Sequence, residues 1–288
     1  MGKKIIEIAY AKINMGLEIL GKRPDGYHEV NMIMQSIGLQ DVVEIMPGEG
    51  IQISTNLPGL SCGPDNLAYR AAALLAERYN VKPNVHIVLN KAIFMAAGLA
   101  GGSSDAAAVL RGLNRYWNLK LLDDKLESLA AELGSDVPFC IHGGSAIAKG
   151  RGEVILPLPD LPPTYVVVAK PRQIGVSTAW VYKNFCRERV VNHPQIWQLA
   201  EHLPQGGHQL VPYMGNVLET VTIPAHPVIA FIKVAMLDAG AYYAMMSGSG
   251  PTVFALADTE AQARQIAAAL NKFDVEVAIT TTVGRKEI

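Results

Sequence analysis

Residues 85–117, VHIVLNKAIFMAAGLAGGSSDAAAVLRGLNRYW, carry the reading that decides the fold. Val85-His86-Ile87-Val88-Leu89 is a short strand-type run, and Asp105 to Trp117 has the composition of a helix. Between them lies a run of small residues, Ala96-Ala97-Gly98-Leu99-Ala100-Gly101-Gly102-Ser103-Ser104. Strand, small-residue loop and helix, in that order, suit an anion. The first turn of a helix carries N–H groups without intrahelical partners and the positive end of the macrodipole. Glycines at 98, 101 and 102 let the backbone come close to an anion, and Ser103 and Ser104 add hydroxyl donors. The pattern is not Walker A, since no Gly-Lys-Ser/Thr follows, and it is not G-x-G-x-x-G. By composition alone, a phosphate site and a flexible turn with a serine cap stay equally open.

On the N-terminal side, Ile5–Ile19 alternates as a strand, with Ile6, Ile8, Tyr10, Lys12 and Asn14 on one face. Pro24-Asp25-Gly26 signals a turn, a second strand runs to Ile45, and Asn66–Tyr79 reads as a helix. On the C-terminal side, Asp123–Leu133 reads as a helix closed by Gly134, and Ser145–Ala148 as a return strand. Leu156–Pro163 is the densest proline cluster and the expected linker, dividing the chain into 1–156 and 157–288. A strand at Tyr165–Ala169 follows, while 187–225 reads as helical or irregular. The last part alternates a helix (Pro227–Asp238), a glycine loop, a strand (Thr252–Ala257), a helix (Thr259–Phe273) and a strand (Val275–Thr282). Strands separated by helices of this length imply an α+β fold.

The 288-residue chain is 50% hydrophobic and 18% charged, which suits a large buried core and argues against disorder. A formal net charge of −1 without a basic block disfavours a nucleic-acid partner. Cys62, Cys140 and Cys186 lack C-x-x-C spacing and read as reduced thiols of a cytoplasmic protein. The start, MGKKIIEIAY, has no long apolar region or small-residue cleavage site, and Ile6 stands where N-myristoylation wants Ser or Thr. No apolar run nears the roughly 20 residues that span a bilayer, so no membrane partner is expected.

Two further residues suit phosphoryl transfer. A lysine in an apolar strand is costly to bury unless an anion or carboxylate meets it, so Lys12 is either such a lysine or one at a sheet edge. Asp136, before Val137-Pro138-Phe139, suits the N-cap of a short helix. Transfer to an alcohol needs a group to take the hydroxyl proton and a cation to neutralise the phosphoryl oxygens; a carboxylate and a lysine supply these.

Ala97–Ala108 closely resembles the ATP-binding motif of the GHMP kinases (galactokinase, homoserine kinase, mevalonate kinase, phosphomevalonate kinase). Phe94 departs from that pattern, where proline is usual, and so does Ala100, where glycine is frequent. The resemblance implies that Ala96, Ala97, Gly98, Leu99, Ala100, Gly101, Gly102, Ser103, Ser104 and Asp105 wrap the triphosphate of ATP. It also implies that Asn66 and Lys91 line the adenine pocket, with helix capping the alternative for Asn66. Ala11-Lys12-Ile13-Asn14 and Gly134-Ser135-Asp136-Val137-Pro138-Phe139 resemble two further family motifs. They imply Asp136 as general base and Lys12 as its electrostatic partner. Met246–Phe254 resembles the family's C-terminal motif, whose loop, here with Gly248, Ser249 and Gly250, comes near phosphates and acceptor.

Gly21–Glu29 and Val176–Tyr182 resemble the branch whose acceptor alcohol carries a cytidine diphosphate group, in an isoprenoid-precursor pathway. By that likeness Tyr27 and Tyr182 stack on the base, His28 reads its polar edge, and Asn14 and Thr178 contact polar groups. Stacking of a flat base on an aromatic face is worth about 1–3 kcal/mol. The likeness runs from Lys12 to about Thr282. It implies a ribosomal protein S5 domain 2-like N-terminal domain and a ferredoxin-like C-terminal domain, with ATP and Mg²⁺ as cofactors. Ser104 is one candidate Mg²⁺ ligand, with ATP and water the alternative; a monomer or weak homodimer is expected. A homoserine or mevalonate type kinase would lack the Tyr27-His28 and Thr178–Tyr182 features. A non-catalytic nucleotide-binding or RNA-binding module would not need both Lys12 and Asp136.

Overall fold

The computed structural model describes residues 4–288, apart from the side chain of Lys286. The N-terminal readings that involve residues 1–3 lie outside the described residues. Strands β1 (Ile5–Lys22), β2 (His28–Pro47) and β3 (Ile51–Thr55) precede helix α1 (Leu67–Arg78) and strand β4 (Val85–Asn90). Helices α2 (Gly101–Tyr116), α3 (Asp123–Leu133) and α4 (Val137–His142) follow, then strands β5 (Ser145–Gly150), β6 (Val154–Pro157) and β7 (Tyr165–Pro171). Helices α5 (Thr178–Lys183) and α6 (Ile196–His202), strand β8 (Gly215–Asn216) and helix α7 (Glu219–Ala225) come next. The order closes with α8 (Val228–Asp238), β9 (Tyr243–Met246), β10 (Val253–Ala257), α9 (Glu260–Ala269) and β11 (Val275–Thr281). The mixture is α+β, as expected.

Residue contacts group these elements into two compact units that interleave along the chain. The first takes the segment ending at Ala11 with Gln40–Ile93 and Ala100–Gly143; the second takes Lys12–Leu39, Phe94–Leu99 and Gly144–Ile288. Strands β1 and β2 therefore supply residues to both, and so does the small-residue loop. The proline cluster at 156–163 lies inside the second unit.

In the first unit, β3 pairs parallel with β4, and β4 pairs antiparallel with Val42–Pro47 of β2. Helix α1 turns Ala68, Ala71, Ala72 and Leu75, at helical spacing, into a core shared with Leu110 and Leu113 of α2. Asn66 caps α1 by accepting from the Ala68 N–H at 2.8 Å. Helix α3 carries Asp123 and Asp124 in its first turn, on the positive end of the dipole, and stops at Gly134.

Helix α2 begins at Gly101, four residues before the expected start. Ala100 adopts the left-handed conformation (φ +60) at the N-cap and redirects the backbone there. Gly101 and Gly102, loop-like by composition, form the first turn of a helix that is buried all round from Ser104 to Leu110.

In the second unit, Val30–Gln35 of β2 pairs with β5, which pairs with β6, and β1 pairs parallel with β8. A four-stranded antiparallel sheet runs in the order β11-β7-β10-β9, with α8 and α9 packed on it. Its inner strands are unbroken apolar runs, Val166–Ala169 and Val253–Ala257, buried throughout. Strand β9 replaces the first part of the expected glycine loop. Ala and Met have little strand preference of their own, and pairing with β10 makes these residues a strand. Among the described residues no single helix is long and apolar enough to cross a membrane.

Leu75 is fully buried between helices, so Leu75→Ala should lower the unfolding free energy by about 2–5 kcal/mol. Leu122→Ala, at a 73% exposed position, should change it by less than about 0.5 kcal/mol. Urea unfolding checks both; equal effects would mean that the core is not where the structure puts it.

Candidate active site

Within the second unit, β1 is buried on both faces from Lys12 to Ile19. Lys12 is only 4% exposed and Asn14 not at all, so the sheet-edge alternative for Lys12 does not hold. An ammonium in such a place needs polar company. Asn14 Oδ1 accepts from Lys12 Nζ at 2.7 Å, and Asn14 Nδ2 faces the Met32 sulfur at 3.4 Å. The Lys12 N–H donates to the Leu99 carbonyl at 3.1 Å, tying the small-residue loop to the strand position that carries the charge.

The glycine loops close around this lysine. Gly98 has φ +72, and a Cβ there would overlap the Ser247 carbonyl oxygen. Its own carbonyl accepts from Ser247 Oγ at 3.1 Å. At Gly248 (φ +56) a Cβ would lie 3.3 Å from Asn14 Oδ1, 3.4 Å from the Gly98 oxygen and 3.5 Å from Lys12 Nζ. One unit therefore gathers two glycine turns and a buried cation, an arrangement that suits a phosphate group held by backbone N–H groups and an ammonium.

The residues expected at the acceptor lie in the same unit. His28 and Tyr182, on β2 and α5, bring their ring centroids to 5.4 Å at an interplanar angle of 40°. Tyr27 is 53% exposed, with the Arg151 guanidinium 5.4 Å from its ring centroid. Burial, helped by Lys22, holds the His28 imidazole below its ordinary value. A neutral ring offers one donor and one acceptor. Thr178 and Ser249 share a hydrogen bond at 2.9 Å, joining α5 to the Gly248 loop.

Within the first unit, α2 starts without a side-chain cap, so the N–H groups of its glycine turn face no side chain of the N-cap residue. Ser104 is 1% exposed and donates to the Tyr10 carbonyl at 2.6 Å, which turns its hydroxyl inward. Lys91 Nζ forms ion pairs with both Asp41 and Asp105, all three side chains almost wholly buried. Asp41 Oδ1 also accepts from the N–H groups of Ala92 and Ile93 at 2.6 and 2.8 Å. Asp105 Oδ1 has no hydrogen-bond partner among the described residues. Burial, with Asp41 beside it and Lys91 opposing, pushes the Asp105 carboxyl up to about 7.

The pair expected at the adenine thus has structural partners. The Lys91 ammonium lies beneath the start of α2, 3.6 Å from where a Cβ on Gly101 would sit. The Asn66 side chain caps α1 and donates to the Ser61 carbonyl at 2.6 Å. Asp136 stands at the N-cap of α4 but makes no capping hydrogen bond with its side chain, so capping does not explain it.

Comparison with known proteins bears on the family. The GHMP kinases N terminal domain profile matches residues 66–144, and the GHMP kinases C terminal profile matches 196–276. A 4-diphosphocytidyl-2-C-methyl-D-erythritol kinase from Bacillus cytotoxicus is 48% identical over 99% of both chains. The chain belongs to the GHMP kinases. It is an ATP-dependent small-molecule kinase, as are the relatives it resembles over its whole length. The kinase of the same name from Bacillus velezensis is 47% identical over 98% of both chains. Among solved structures, a 4-(cytidine 5'-diphospho)-2C-methyl-D-erythritol kinase aligns over 97% of this chain and 100% of its own, at 35% identity and TM-score 0.84. Homoserine kinase from Cytophaga hutchinsonii shares the fold at 19% identity, with 99% and 96% covered and a TM-score of 0.77.

Three residues that hold the site together carried no sequence signal of their own. Asp41 buries both oxygens against Lys91 and the backbone after it. Asn216 and Glu219 bind the backbone at Met246 and Gly248. Each acts on groups far away in sequence, which spacing does not reveal.

Two outcomes test this geometry. Gly98→Ala puts a methyl into the Ser247 carbonyl at a left-handed backbone position, so turnover should fall at least about tenfold. Steady-state kinetics would show it, and unchanged turnover would mean the two loops need not touch.

The second outcome concerns pH. Folding raises the Asp105 carboxyl from the ordinary 3.8 to about 7, which favours its protonated form. That stability is complete below about pH 4 and is lost as pH climbs to about 7. Asp105→Asn removes the titration, so its stability relative to wild type should improve by up to about 1.4 kcal/mol per pH unit across that window. Urea unfolding between pH 4 and 8 measures this; a difference independent of pH would mean that Asp105 titrates as an ordinary carboxylate.

Proposed function

We propose that the chain transfers the γ-phosphoryl group of ATP to the 2-hydroxyl of 4-diphosphocytidyl-2-C-methyl-D-erythritol, a step of the non-mevalonate isoprenoid-precursor pathway. The observation that carries this choice of alcohol is the meeting of His28 with Tyr182. Two motifs distant in sequence place an imidazole and a phenol ring side by side, with Tyr27 next to His28. Such a group suits a flat base that offers polar edge atoms. Relatives 46–48% identical over almost the whole chain bear the name of that kinase, which supports the reading.

In this proposal Tyr27 and Tyr182 stack on the cytosine, and neutral His28 bonds its edge. Thr178 and Ser249 hold the alcohol's polar groups. Lys12, held by Asn14, neutralises charge on the transferring phosphoryl group while Gly98, Gly248 and Gly250 let backbone N–H groups approach it. Asp136 accepts the hydroxyl proton as the alcohol oxygen bonds to the γ-phosphorus and the bridging oxygen leaves with ADP. The start of α2, from Gly101 to Ser103, receives the triphosphate, with Ala96, Ala97, Leu99 and Ala100 shaping the loop before it. Asn66, Lys91 and Asp105 serve by holding the adenine side in shape.

Among the described residues no three His, Cys, Asp or Glu side chains gather to hold a metal ion, and the Ser104 hydroxyl is turned inward. Mg²⁺ commonly keeps several waters and binds through substrate phosphates, so the metal enters this proposal as part of the Mg·ATP substrate. We also propose a boundary between the two family domains at 156/157, action in the cytoplasm, and a monomer or weak homodimer.

Incubation with Mg·ATP and the diphosphocytidyl alcohol should yield ADP and a 2-phosphate in equal amounts. Turnover of homoserine or mevalonate in its place would reassign the acceptor. Asp136→Asn should cut kcat by about 10²–10⁴-fold, with ATP affinity changed less than about threefold. A variant that kept most of its rate would remove Asp136 from the base role.

A further inference from the structure

The segment Gly215-Asn216-Val217-Leu218-Glu219 falls in the least readable part of the sequence, yet it grips the Gly248 loop at several points. Asn216 is 6% exposed. Its Nδ2 donates to the carbonyls of both Met246 and Gly248, at 2.8 Å each, and its Oδ1 accepts from the Leu218 N–H at 3.0 Å. Both amide hydrogens and the amide oxygen are thus used. The reverse orientation would set Oδ1 against two carbonyl oxygens, so the network itself fixes which way the amide points.

Glu219 holds the same peptide from the other side. Its Oε1 accepts from the Met246 N–H at 2.8 Å and is paired with Lys233. Thr222 donates to the Ser249 carbonyl at 3.1 Å. Asn216 is itself anchored, because β8 pairs with β1 at Leu17↔Asn216, and the Val217 N–H donates to the Leu17 carbonyl at 3.1 Å. One strand, β1, therefore carries Lys12 and Asn14 and also braces the residue that holds the loop lying against them.

We propose that Asn216 is a positioning residue for phosphoryl transfer: it holds the Gly248 loop against Lys12 and Asn14, with Glu219 and Thr222 completing the grip. The inference rests on the kinase reading above. A glycine turn has few preferences of its own, so the spacing of its N–H groups from the lysine is set by whatever binds its carbonyls. Loss of that hold displaces donors needed in the transition state more than it weakens ground-state binding.

The test uses the full chain as wild type, Asn216→Leu, and Val168→Ala, a cavity in β7 away from both glycine loops. Assays are run well below all three unfolding temperatures. Asn216→Leu should lower kcat by about 10- to 100-fold, with KM for ATP and for the alcohol within about threefold of wild type. Val168→Ala should lose melting temperature but keep its kcat within about twofold. Amide hydrogen exchange without substrate should quicken at Ser249 and Gly250 in Asn216→Leu, and remain as in wild type at β7 and β10.

If kcat is kept, or falls no further than in Val168→Ala, or if loop exchange is unchanged, the positioning role is overturned. If wild type does not phosphorylate the diphosphocytidyl alcohol, the substrate reading fails by itself, and the exchange experiment still decides whether Asn216 holds the loop.

Discussion

An ammonium shut inside a strand that is buried on both faces cannot stand without polar company, and Lys12 is in that position. Its partner Asn14 comes from the same strand face, two residues on, as the pleat requires. The carbonyl of Leu99 is tied to the Lys12 backbone, and Gly98 presses so close to Ser247 that it has no room for a side chain. Gly248 takes a left-handed backbone beside Asn14 and Lys12. Glycine in both turns, the amide at 14 and burial of the strand are consequences of one requirement. A positive charge is kept dry, and the backbone around it stays open to an anion.

The first unit answers a similar problem differently. Lys91 is equally dry, but two carboxylates meet it, so its charge is consumed internally and an excess negative charge is left over. Burial, with Asp41 beside it, raises the Asp105 carboxyl, and an unmatched oxygen lies at the base of the glycine-started helix. A lysine between two carboxylates has no charge left to offer a ligand. Both lysine side chains lie near glycine turns, and that of Lys91 is committed to Asp41 and Asp105.

Much of the fold was legible because it rests on local pattern. The apolar run at 85–89, the capped helix at Asn66 and the glycine stop after Leu133 all announce themselves within a few residues. Strand β9 and the early start of α2 did not, since pairing with β10 and the left-handed turn at Ala100 decide them. In the site, the motif residues could be named from the family pattern, and the aromatic meeting of His28 with Tyr182 follows the same pattern. Asp41, Asn216 and Glu219 could not be named, because their partners are a distant ammonium and backbone groups that no spacing rule connects to them. The reading of Lys91 as an adenine contact missed Asp41 for the same reason.

Backbone amide resonances during titration with Mg²⁺ and a non-hydrolysable ATP analogue measure most directly whether this cradle receives phosphate. The amides of Gly98, Gly248 and Gly250 should shift together and saturate with one affinity. Lys12→Met should weaken that binding and shrink the shifts at Gly98 and Gly248. If these amides stay in place while the analogue binds elsewhere, the buried lysine and its glycine turns are not the phosphate cradle.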